Sequence, residues 1–133
     1  MNTASQDTYQ SFPAAFLSVR FARHFVRDAL HSVGWLRLRL NDVELAMSEL
    51  ATNAIEYGGG EPFGVFVERR IDRVDLSVTS SGSRTTPSVR ALSTDELSGR
   101  GLRIVSSVAD EFDVLQTLDQ VVVRCAFVRS ADT

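Results

Sequence analysis

At Gly58-Gly59-Gly60 the hydrophobic period of the chain changes, and that change limits the folds open to it. Before the glycines, apolar residues recur at helical spacing. Ala22, Val26, Ala29 and Val33, flanked by Phe25 and Leu30, make one stripe on a helix over 18–33, with Ser18 as N-cap and Gly34 as its stop. Val43, Met47, Leu50 and Ala54 make a second stripe, on a helix that Asn41 or Asp42 caps and that runs to Tyr57. After the glycines the period is two. Segments 63–70 and 74–80 read as strands joined by a turn near Asp72, and 112–116 and 121–128 as two more. Between these pairs, 81–97 is rich in Ser, Thr and Arg, contains Pro87 and has no periodicity. Ser98-Gly99-Arg100-Gly101 then opens a short helix over 102–109.

Two helices, two strands, a loop, a helix and two strands predict an α/β (α+β) two-layer sandwich. Short turns between consecutive strands favour a mixed or antiparallel sheet, with the helices on one face. The apolar stretch 12–16 has room to start a further strand, and the polar residues 1–10 read as a disordered tail. Residues 11–129 then form a single domain, without internal repeats.

The 133 residues suffice to bury a core without disulfides, and the one cysteine, Cys125, permits no intrachain bridge. No run reaches the length of a membrane span, and residues 1–10 lack the apolar centre of a signal peptide. The expectation is a cytoplasmic protein. A net charge of -3 argues against nucleic acid as a direct partner. All 14 basic residues are arginine. A P-loop, which needs lysine, is therefore excluded.

Three segments carry candidate chemistry. Glu49 and Asn53 lie four residues apart, one turn along the same flank of the second helix, beside its core stripe. A carboxamide oxygen suits a hard cation such as Mg²⁺, and a carboxylate can orient or deprotonate a hydroxyl; a solvated flank is the plainer reading of the pair alone. Gly99-Arg100-Gly101 precedes a helix, where glycine lets the backbone approach a phosphate and free N–H groups face it; a simple glycine turn is the alternative. Ser80-Ser81-Gly82 ends a strand with small residues that admit a flat base, or merely form a turn.

Taken together, 48–54 (Ser-Glu-Leu-Ala-Thr-Asn-Ala) and 98–102 (Ser-Gly-Arg-Gly-Leu) resemble the N box and second glycine box of the GHKL ATPases, the histidine-kinase-like superfamily that includes gyrase, MutL, heat-shock chaperones and histidine kinases. At this size the chain is most similar to the anti-sigma-factor serine/threonine kinases, over about 12–128. The resemblance implies ATP and Mg²⁺ as cofactors. It implies that Asn53 binds the Mg²⁺, that Glu49 is the general base for a serine hydroxyl of a partner, that Gly99, Arg100, Gly101 and Leu102 form the phosphate-binding turn, and that 83–98 is a lid. It further implies an anti-anti-sigma protein or a sigma factor as partner, and a homodimer.

The chain departs from the family at the first glycine box, Asp-x-Gly, where Ser80, Ser81 and Gly82 stand. The family's aspartate accepts a hydrogen bond from adenine's exocyclic amine. Replacing a charged acceptor by serine costs ~1.5–3 kcal/mol, or roughly ten- to a hundred-fold in affinity. Asp75, five residues earlier, points to the other strand face and cannot substitute. Three outcomes stay open: weakened ATP binding, a degenerate module that binds its partner without nucleotide, and relaxed base preference. Elsewhere, Arg20, Arg23, His24, Arg27 and His31 share one helix face, either solvated or a docking face for an acidic partner. Phe12, Phe16 and Phe21 are core or a dimer edge. Arg84 and Arg90 lie in the expected lid, and Cys125 is expected to be packed and inert.

Overall fold

A computed structural model of the chain describes residues 6–31, 37–82, 90–91 and 101–128. In chain order the elements are β1 (Gln6–Phe12), α1 (Leu17–His31), α2 (Arg37–Tyr57), β2 (Phe63–Arg69), β3 (Arg73–Ser81), β4 (Arg90–Ala91), α3 (Gly101–Val108), β5 (Glu111–Gln116) and β6 (Gln120–Val128). The strands form one sheet of order β1-β2-β3-β6-β5-β4 in which every described pairing is antiparallel.

Alternation along the central strands explains the two layers. On β3, Val74, Leu76, Val78 and Ser80 are buried, whereas the residues between them are half-exposed. On β6 the buried partners across from them are Phe127, Cys125, Val123 and Val121. This inner face is covered by Ala22, Val26 and Leu30 of α1, by Val43, Met47, Leu50 and Ala54 of α2, and by Leu102 and Val105 of α3. The two predicted helical stripes are thus the core faces of α1 and α2. Val33 and Gly34 lie outside the described residues.

Several boundaries differ from the sequence expectation. Gln6–Phe12 is a strand, so half of the expected disordered tail is the edge of the sheet. Its side chains are mostly exposed, and only Phe12 is buried, which hides the strand period in the sequence. The strand ends at Phe12 instead of starting there. Ser18 is not the N-cap of α1: it lies in the first turn, buried, and its Oγ donates to the Pro13 carbonyl at 2.7 Å. Helix α2 begins at Arg37, so Asn41 and Asp42 are interior residues and not caps. The 37–40 run of arginine and leucine extends the helix at little cost in propensity.

The ends of α2 are fixed in different ways. Near its start, Arg39 Nη2 donates to Asp110 Oδ2 at 2.6 Å and its guanidinium lies 5.3 Å above the Phe127 ring. Asp110 also accepts from the Val128 amide at 2.7 Å, so one carboxylate joins α2 to β6. At the other end Gly59 and Gly60 take φ values of 66° and 86°, a left-handed conformation that stops the helix without strain only because they are glycines.

The α1–α2 seam is polar on its outer side. Arg27 Nε and Nη2 donate to the two Glu44 carboxylate oxygens at 2.8 and 2.9 Å, and Arg23 reaches Ser48 Oγ at 3.4 Å. Two arginines of the expected docking face therefore belong to a helix–helix contact. The Arg27 hydrogen bond holds Glu44 below its ordinary value of 4.5. A depressed carboxylate contributes stability above its unfolded pKa and loses it as pH falls through the folded value. Glu44→Gln is expected to lower the urea midpoint at neutral pH, with the difference from wild type shrinking as pH falls through the depressed folded value.

Phe12 is core, while Phe16 and Phe21 are exposed at the start of α1. Cys125 is buried between Val123 and Phe127, and burial pushes its thiol up to about 12. It is expected to stay unlabelled by a thiol reagent at pH ~8 in the native protein and to react fully in denaturant, because the thiolate is the reactive form.

Candidate functional site

The candidate residues are gathered by one end of α2. Asn53 is one turn from the helix terminus and is 6% exposed. Its Oδ1 is fully buried and has no hydrogen-bond partner. A buried amide oxygen left unpaired costs ~1–3 kcal/mol, so its retention asks for a missing donor or cation. Glu49, one turn back on the same flank, is half-buried. It has no ion-pair partner among the described residues, unlike Glu44, which Arg27 occupies.

The glycine at the helix end brings α2 against the sheet. A Cβ at Gly58 would stand 3.6 Å from Ser80 Cβ, in ordinary contact with the sheet, and 2.5 Å from the Ala54 carbonyl oxygen, so a side chain there would clash with the last turn of α2 itself. Ser80 is buried at 7% exposure on the inner face of β3, the face that α2 covers. Gly82 follows the strand, buried, with its amide donating to the Asp119 carbonyl at 3.0 Å. Asp75 lies on the outer face, where Arg73 Nη2 donates to it at 2.9 Å, so it is no substitute for the missing aspartate. Arg73 also holds Glu111 at 2.7 Å. The shallow dish on that outer face, lined by Asp75, Ser77, Glu111, Asp113 and Arg124, therefore has its charges paired.

Helix α3 packs against α2 and β5. Gly101 is its first residue, half-buried, and Leu102 is fully buried beneath it. A turn of two residues joins α3 to β5, so the helix runs back over that strand and its start lies toward the Gln116 end. The structure thus brings Asn53, Ser80, Gly82 and Gly101 to one end of the sandwich. Gly99, Arg100, Arg84 and most of the expected lid, 83–98, lie outside the described residues. Within that lid, Arg90–Ala91 pairs with β5 as a two-residue edge strand, which the absence of periodicity did not foretell.

Sequence reasoning missed one polar residue at this end. Gln116, the last residue of β5, is 5% exposed. It pairs with Val121, which pairs in turn with Ser80. The signal was present: Phe112, Val114 and Gln116 occupy successive inner positions of the expected strand 112–116, and the third of them is polar.

A two-layer sandwich with an Asn near the end of one helix and a glycine at the start of another is the plan of the histidine-kinase-like ATPases. The sequence matches the histidine kinase-like ATPase domain over residues 12–127, and the chain belongs to that family. Among solved structures it is similar to the RsbU and RsbW domains of Rv1364c from Mycobacterium tuberculosis, with a TM-score of 0.73 and 17% sequence identity. That alignment covers 92% of this chain and 32% of the other, so this chain spans about a third of that one, and the likeness is one of fold. No curated protein matches the sequence. No helix among the described residues is long and apolar enough to cross a membrane.

Proposed function

We propose that the chain binds Mg-ATP at the Asn53 end of the sandwich and phosphorylates a serine of a partner protein, as an anti-sigma-type regulator in the cytoplasm. The observation that carries the nucleotide reading is the buried, unpartnered Oδ1 of Asn53. A neutral oxygen fixed on a helix, with no competing donor, fits a hard cation such as Mg²⁺. Bound there, the cation would neutralise phosphate charge. Gly101 at the start of α3 would face the phosphates with backbone N–H groups, together with Gly99, Arg100 and Leu102. Glu49, one turn from Asn53 and free of ion-pairing among the described residues, would take the proton of the attacking serine hydroxyl. The resemblance to the anti-sigma-factor kinases supports an anti-anti-sigma protein as the phosphorylated partner and a sigma factor as the sequestered one.

The test is transfer from labelled ATP to a cognate anti-anti-sigma partner. A labelled serine is expected, lost in Glu49→Ala while ATP binding persists. A verified partner that stays unlabelled would overturn the kinase reading. A second reading rests on Ser80: a hydroxyl in place of the family's aspartate supports a module that binds its partner without nucleotide. It requires equal capture of the partner with and without Mg-ATP, and no effect of Asn53→Ala on that capture.

A further inference from the structure

We draw no further inference here: the strongest candidate, the exposed apolar patch of Phe16, Leu17 and Phe21 at the start of α1 beside the edge strand β1, carries nothing because nothing in the structure shows what covers it.

Discussion

Asn53→Leu is expected to give a more stable protein that no longer binds Mg-ATP. The wild-type Oδ1 is buried without a partner, so the folded state carries its desolvation cost unrelieved. Leucine has the same branching at Cγ and no acceptor, and it would sit beside Ala54 and Leu50 in the α2 layer. Removing an unsatisfied buried oxygen should recover ~1–2 kcal/mol, or roughly 3–8 °C in Tm for a domain of this size. At the same time the site loses the oxygen that would face the cation, and ATP affinity should fall at least ~100-fold, the loss of a charge-assisted contact in a dry site. Calorimetric melting and nucleotide titration of the same sample read both effects. A variant that melts lower than wild type would mean that Asn53 is a structural hydrogen-bonding residue, and the case for a ligand there would fail. Stability and binding moving in opposite directions is the mark of a residue kept for its ligand.

Phe63→Ala is expected to be the most damaging of the core substitutions. Phe63 is 1% exposed and stacks on Phe12 at 5.6 Å with an interplanar angle of 27°. Phe12 in turn meets Phe25 edge-on at 5.9 Å. One ring therefore joins β2 to β1, and through it to α1. Truncation should cost ~3–5 kcal/mol from lost burial and the cavity left behind. Against a typical total of about 5–15 kcal/mol, that is a large fraction, and Tm should drop by on the order of 10–15 °C. Because β1 is held by β2 on one side only, hydrogen exchange at Tyr9 and Gln10 should accelerate more than at Val123 on the central β6. A uniform rise in exchange, or a loss below ~1 kcal/mol, would contradict this.

The helices and central strands were legible because burial there is one-sided and the period reports it. Val43, Met47, Leu50 and Ala54 repeat at helical spacing, and Val74, Leu76 and Val78 at strand spacing, and each set is buried. Strand β1 was illegible for the converse reason: at a sheet edge, with Tyr9, Gln10 and Ser11 exposed, local composition resembles that of a coil. The N-terminal turn of α2 was misplaced because Asn41 and Asp42 are good caps and also tolerable interior residues. The candidates Asn53, Ser80, Gly82 and Gly101 were singled out through their resemblance to family motifs, and the fold brings them to one end of the sandwich. Gln116 belongs to no such motif, and strand register alone places it in one row with Ser80, on the far side of Val121.

Strand β6 is the last described element of the chain, yet it lies in the middle of the sheet, between β3 and β5. Its partners on β3 are 39 (Ser81↔Gln120) to 55 (Arg73↔Val128) residues distant. During synthesis the ribosome therefore releases β1, the two helices and the β2–β3 hairpin before β6, and the free edge of β3 lacks its partner until residues 120–128 emerge. Pairings this remote in sequence slow folding, and the exposed β3 edge is open meanwhile to intermolecular pairing. The yield of folded protein should therefore depend on how quickly residues 120–128 follow β3 out of the ribosome.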